Sequence, residues 1–345
     1  MPTKKTTARK SARKRSKSKA STGLHPLGKL FFILLSFTAI AVVLIVFTRS
    51  RQDATPPAPV ARDIVNATEL QIALAREGFS PGSIDGKLGG QTTQALNAFQ
   101  MAHQLPTTGT FDPATFDVLK ILDPVYARIE LSLGDFNKVA PKPQSWTERG
   151  QLDAMHYNSI LEMVAEHSHT DPDYIVALNP NLNWQALAPS DQILVPHMAT
   201  HQIRGDIAYV RIQLSKRILQ AFDQNNQLRF HCPVSIARRI DKRPSGQLVL
   251  KVLVENPNYT FNPAILSATA AREGITQKFI IQPGPNNPVG NVWIGLNLPS
   301  YGIHGTPEPE KVGRTESSGC FRLANWNAKA LVKAAWVGMP IQVEP

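Results

Sequence analysis

Cysteine is nearly absent from this chain: Cys232 and Cys320 are the two in 345 residues. So few thiols exclude a disulfide framework, and the fold must rest on packed cores. The length allows two or three domains. Acidic residues are missing from positions 1–50, a stretch that holds eleven of the 37 Lys and Arg. The rest of the chain carries 26 charges of each sign, so the net charge of +11 is a property of the first fifty residues. No nucleic-acid partner is expected from that distribution. Three catalytic signatures are also missing: an HExxH zinc helix, a G-x-S-x-G nucleophile elbow and a Walker-type glycine loop. His167-Ser168-His169 and the His197/His201 pair have chelating spacing but no third ligand beside them, so neither a metal nor a cofactor is expected.

What is present begins with a Lys/Arg/Ser/Thr-rich arm over 1–29, without apolar periodicity. Residues 30–47, LFFILLSFTAIAVVLIVF, then run eighteen positions without a charge. As a helix this run is about 27 Å long, close to the hydrocarbon thickness of a bilayer. Ten basic residues precede it, which predicts a single-pass helix with the N-terminus in the cytoplasm. A cleaved signal peptide is the competing reading. The long basic arm, the length of the apolar run and the absence of a small-x-small site after Phe47 argue against it. Residues 48–64, with three prolines, read as a linker.

From Ala67 the spacing is helical, with Leu70, Ile72 and Leu74 apolar and Gly78 as a C-terminal stop. A second helix begins near Gly90, and a third fits 112–122, with Asp112 as N-cap and Pro113 at the first helical position. The wording of this stretch resembles the three-helix peptidoglycan-binding domain, with Asp85-Gly86, Thr93, Phe99-Gln100 and Thr108-Gly109 in signature places. The resemblance covers 65–122 and implies a module that holds cell-wall glycan or stem peptide. A spacer that keeps the fold without the binding remains the alternative.

Residues 123–149 hold Pro124, Pro141 and Pro143 and read as a linker. Over 150–197, a helix near 158–165, a second ending in Leu178-Asn179-Pro180 and a strand ending in Val195-Pro196 resemble a LysM module. An N-terminal strand is poorly represented. The resemblance implies an α+β module binding N-acetylglucosamine-containing glycan, against the alternative of a brace between domains. From about 205 the period becomes two, with strands near 208–212, 219–222, 228–231, 248–253, 278–281 and 292–294 and a turn at 224–226. One amphipathic helix fits 325–337. The irregular stretch 256–273 is long enough to form a flap.

Residues 301–323, YGIHGTPEPEKVGRTESSGCFRL, place His304 beside Gly305 and Cys320 sixteen residues later. A thiol nucleophile needs a proton acceptor or a cation within reach. Small residues before Cys320 let backbone N–H groups face a reacting centre. On these residues alone, a buried cysteine and an unrelated histidine remain open. Together with Gly284-Pro285-Asn286-Asn287-Pro288-Val289-Gly290 and Trp293-Ile294, the stretch closely resembles the YkuD-type L,D-transpeptidase family over 203–345. The resemblance implies a mainly-β catalytic domain in which Cys320 is the nucleophile, His304 its base and Gly305 the residue whose carbonyl orients the ring. Ser318 stands where many relatives have a second histidine. Ser318 and Gly319 are candidates for the oxyanion or substrate site, and Arg322, with Arg314 as a further candidate, for gripping a substrate carboxylate.

The expected whole is a multidomain, membrane-anchored protein, with its catalytic part outside the cytoplasm and peptidoglycan as its partner. The family resemblance implies that Cys320 acylates itself with a tetrapeptide stem, releases D-alanine and passes the acyl group to an amine. A hydrolase with the same nucleophile, and a wall-tethering protein without catalysis, are the alternatives.

Overall fold

A computed structural model describes residues 60–198, 202–317 and 319–345. The basic arm, the apolar run at 30–47 and most of the first linker lie outside the described residues, as does Ser318. Among the described residues no helix is long and apolar enough to cross a membrane.

The first domain is closed by a short antiparallel pair, β1 (Ala61–Arg62) with β2 (Ile121–Leu122). Its helices are α1 (Ala67–Arg76), α2 (Gly90–Ala102) and α3 (Pro113–Val118). Asn66 caps α1 by accepting from the Glu69 N–H, and Asp112 caps α3 through Thr115. Gly78 follows α1 at φ +92°, a left-handed stop that glycine adopts without steric cost. The third helix ends at Val118 and not at 122. Leu119 turns extended, and Leu119 and Ile121, both buried, alternate as a strand does. Two signature turns, at Asp85-Gly86 and Thr108-Gly109, are held by glutamine side chains. The Gln71 side chain binds the backbone of Asp85 and Gly86, and Gln100 binds Gly109 N–H and Thr110 O.

The stretch expected as a second linker is folded. It contains β3 (Tyr126–Glu130), α4 (Leu133–Phe136) and α5 (Trp146–Gly150). Then come α6 (Ile160–His167), α7 (Pro172–Leu178) and β4 (Gln192–Pro196), and β4 pairs antiparallel with β3. Leu131, Tyr157, Ile160, Met163, Val164, Ile175, Ile193 and Val195 form one core, with Ala127 and Ile129 of β3 packed against it. The prolines that suggested a linker flank these elements and do not interrupt them: Pro124 precedes β3, and Pro141 and Pro143 fall between α4 and α5.

The last domain contains β5 (Tyr209–Gln213), β6 (Ile218–Phe222), β7 (Leu228–Pro233), β8 (Gly246–Glu255), β9 (Tyr259–Phe261), α8 (Ser267–Glu273) and β10 (Phe279–Ile281). It continues with β11 (Val292–Leu296), β12 (Gly302–His304), β13 (Phe321–Arg322), α9 (Asn325–Ala334) and β14 (Pro340–Glu344). Eight strands form one sheet in the order β13-β12-β11-β8-β14-β5-β6-β7. Its neighbours are antiparallel except for the parallel pairs β12–β13 and β14–β5. α9 supplies Ala328, Leu331 and Val332 to the sheet's core, which includes Val210, Phe230, Leu250, Ile294 and Phe321. This helix stops at Ala334, short of 337, because Ala335 is extended.

The periodicity predicts that residues 278–281 continue the main sheet; the structure corrects this. β10 pairs with β9 in a hairpin of its own, and α8 lies between them. The hairpin is docked on α5: the Trp146 ring sits 5.1 Å from that of Phe261, and the Trp146 backbone N–H donates to the Glu273 carboxylate, in α8 between the hairpin strands, at 2.9 Å. At the other margin of the main sheet, β7 meets the first domain. Ser80 N–H donates to His231 O at 2.8 Å, and His231 N–H donates to Gly78 O at 3.0 Å. Phe222 and Leu228 belong to the first domain's core. The exposed strand edge is thereby covered by a neighbouring domain.

Candidate active site

The parallel pairing of β12 with β13 sets Ile303 opposite Phe321 and His304 opposite Arg322. Cys320, one residue before β13, therefore stands at the start of the histidine's strand, although sixteen positions separate the two in sequence. His304 is buried and its Nδ1–H donates to the Gly305 carbonyl at 2.6 Å. That bond leaves Nε2 of the neutral ring with a lone pair. The Trp293 ring stacks on the imidazole, with centroids 5.8 Å apart. Burial pushes the imidazole down to about 4; the Gly305 carbonyl works against this, and the Arg322 charge adds to it.

The Cys320 thiol is half-buried and donates to the Ser300 carbonyl at 3.5 Å. Ser300 has φ +64°, a conformation few non-glycine residues adopt, in the turn between β11 and β12. Burial raises the thiol, while the Gly302 N–H and the Arg322 charge lower it. Near neutral pH the free site thus holds a neutral thiol and a neutral imidazole. Such a pair suits base-assisted attack, in which the proton leaves sulfur as the bond to carbon forms.

The Ser317 hydroxyl donates to the Cys320 carbonyl at 2.5 Å, and Gly319 N–H donates to Ser317 Oγ at 3.3 Å. The ring of Tyr301 covers Gly319, where a Cβ would lie 3.5 Å from it. Arg322 faces a shallow depression lined by Ser235, Thr306, Glu308 and Thr315. Arg314 is not available in the same way. It pairs at 3.2 Å with Asp85 of the first domain and so ties two domains together.

Two contributors escaped the sequence reading. Burial raises the Tyr259 phenol of the hairpin, and the charge Cys320 would carry adds to it. Asn325, at the start of α9, accepts from Thr306 N–H at 3.1 Å and Asn291 N–H at 3.3 Å, on both sides of the Gly305 backbone. A Cβ at Gly290 or Gly305 would fall 2.2 or 2.1 Å from Asn325 Oδ1, so both glycines are required by this amide. A motif search aimed at nucleophiles does not register either demand. Of the histidines with chelating spacing, His167 lies by the Tyr157 hydroxyl and His169 stacks on Trp326, while His201 is outside the described residues. Among the described residues no group of three or more His, Cys, Asp or Glu is placed to hold a metal.

Residues 207–343 match the family described as L,D-transpeptidase catalytic domain (YkuD), and residues 65–119 match the one described as "Putative peptidoglycan binding domain". The Bacillus licheniformis protein named "Putative L,D-transpeptidase YkuD" is 23% identical over 186 residues, covering 54% of this chain and 93% of that protein. "Putative L,D-transpeptidase YqjB" of Bacillus subtilis is 30% identical over 32% of this chain and 56% of its own length. A Fuscovulum blasticum protein, "Putative L,D-transpeptidase in ATP synthase subunits region ORF 5", is 32% identical over 33% of this chain and 56% of its own. The chain therefore spans a little over half the length of the last two. Joined to a peptidoglycan-binding domain, residues 207–343 are an L,D-transpeptidase catalytic domain, and the chain is a cell-wall L,D-transpeptidase, a cysteine acyltransferase.

Proposed function

We propose that Cys320 is the nucleophile and that His304, oriented by the Gly305 carbonyl, is its base. The observation that carries this reading is the 2.6 Å bond from Nδ1 to Gly305 O, which leaves Nε2 as the proton acceptor on the strand next to Cys320. Sulfur attacks the carbonyl of the third residue in a tetrapeptide stem while the thiol proton passes to Nε2. The tetrahedral oxyanion is held by backbone N–H groups around Gly319 and Cys320. Collapse expels D-alanine, whose amine takes the proton back from His304, and leaves a thioester on Cys320. An amine of a second stem or of a protein to be attached then displaces sulfur. Arg322, a guanidinium in register with His304, binds a carboxylate of the substrate.

The remaining parts serve delivery. The uncharged run at 30–47, preceded by ten basic residues, anchors the chain in the membrane with the catalytic part outside the cytoplasm. The pairing of β3 with β4 around α6 and α7 supports a LysM-like glycan module whose span extends back to about residue 126. Together with the first domain it raises the local concentration of stems.

The test is incubation of the full chain with a disaccharide-tetrapeptide, followed by mass analysis of products. Cross-linked dimers lacking one D-alanine are expected. Tripeptide alone would make the protein a hydrolase, and unchanged substrate with retained wall binding would make it a tethering protein.

A further inference from the structure

Behind the histidine's strand, the middle module reaches into the catalytic domain. Glu166, near the end of α6, is 7% exposed. Its Oε2 accepts from Asn325 Nδ2 at 2.7 Å, and its Oε1 accepts from the Tyr157 hydroxyl at 3.2 Å. Asn325 directs its other amide atom, Oδ1, at the N–H groups of Thr306 and Asn291. Between these two donors runs Gly305. Its own N–H is held by the Val292 carbonyl at 3.2 Å, and its carbonyl takes the His304 Nδ1–H.

An asparagine amide has two orientations that differ by exchange of oxygen and nitrogen. Here one end faces backbone donors and the other a carboxyl oxygen, so a single orientation satisfies both. Oδ1 lies where a Cβ at Gly290 or Gly305 would fall, within 2.2 or 2.1 Å, which leaves little slack for a tilted amide. Without an acceptor at Oε2, the buried Nδ2 would keep only its long 3.5 Å contact with the Pro285 carbonyl, and rotation of the amide would be its relief. Rotation would turn N–H₂ toward two N–H donors and displace the backbone that carries the Gly305 carbonyl.

We propose that Glu166 is a positioning residue for His304, acting through Asn325 and the Gly305 carbonyl, so that the ring's tautomer and orientation are set from outside the catalytic domain. This rests on the transpeptidase reading only where activity is the readout. The middle module then contributes to the chemical step itself, independently of whether it binds glycan.

The test uses the full-length chain with ¹⁵N-labelled histidine, as native protein and as Glu166→Leu, Glu166→Asp and Glu166→Gln. Imidazole nitrogen spectra report the His304 tautomer, and D-alanine release from the tetrapeptide gives kcat and KM. In the native chain the Nδ1–H form is expected. The Leu variant removes the acceptor and the Asp variant withdraws it by one methylene. Both are expected to mix the tautomers and lower kcat on the order of tenfold to a hundredfold with KM within about twofold, the scale of a small misplacement of reacting groups. Glutamine keeps an oxygen for Asn325 and is expected to restore both readouts. A folded Leu or Asp variant with the native tautomer and kcat within about twofold of native, whatever its melting temperature, would overturn the proposal. If the Leu variant does not fold, the Asp variant decides. If the native chain releases no D-alanine, the transpeptidase reading fails, and the tautomer spectra still decide the role of Glu166.

Discussion

Both margins of the eight-stranded sheet carry a histidine and a cysteine. Near one margin are His304 and Cys320, on and beside the parallel pair β12–β13; at the other are His231 and Cys232, consecutive on β7. Burial keeps all four neutral at neutral pH: it lowers His304 to about 4 and His231 to about 3, and it raises both thiols. The two margins differ in hydrogen bonding and access. His304 has one nitrogen committed to Gly305, and Cys320 is half-buried beside the Gly302 N–H and Arg322. His231 is fully buried with no hydrogen-bond partner for either ring nitrogen among the described residues, and Cys232 is sealed in the sheet's core. A shifted titration therefore does not mark a reactive site. Orientation by a fixed partner, together with a path for substrate, does.

The sharpest contrast is between the histidines. His304→Gln removes the proposed base while keeping a side chain of similar size, and D-alanine release is expected to fall by about 10²- to 10⁴-fold, the usual worth of a positioned base. His231→Phe keeps the volume, and activity is expected within about twofold of native. Equal losses in the two variants would erase the distinction.

A smaller effect is expected on stability. Both histidines charge more readily in the unfolded chain, near 6.5, than in the folded one. Their contribution is complete above about pH 6.5 and is lost as pH falls through the interval down to about 4 for His304 and about 3 for His231. For His231 the loss by pH 4.5 is about 2–3 kcal/mol, at about 1.4 kcal/mol per unit. Thermal unfolding at pH 7 and pH 4.5 should therefore show a shallower acid loss for His231→Phe than for the native chain. An unchanged acid loss would mean that the β7 histidine is protonated in the folded state and finds a partner there.

These outcomes also separate what the sequence makes legible from what it hides. His304, Cys320 and most strands are legible because they are local: a motif, or an alternation over five residues. The cap at Asp112 has the same character. What escapes is set by distant partners. β3 is weak alone, flanked by prolines, and becomes a strand because β4 lies 66 positions later in register. β10 alternates like a strand of the main sheet, yet its partner is β9, and the hairpin is fixed by Trp146 from another module. The Glu166–Asn325 bond spans 159 positions, and neither residue type signals it. The same holds for Arg314, whose nearness to Cys320 in sequence suggests substrate while its charge is committed to Asp85.

The most direct test of the account is where the acyl group lands. The full chain is trapped with a disaccharide-tetrapeptide at short times, digested and mapped by mass spectrometry, alongside Cys320→Ala and Cys232→Ala. The account predicts an adduct equal to the substrate less D-alanine on the peptide that contains Cys320, present in Cys232→Ala and absent in Cys320→Ala. An adduct that persists in Cys320→Ala, or that maps to Cys232, would contradict it.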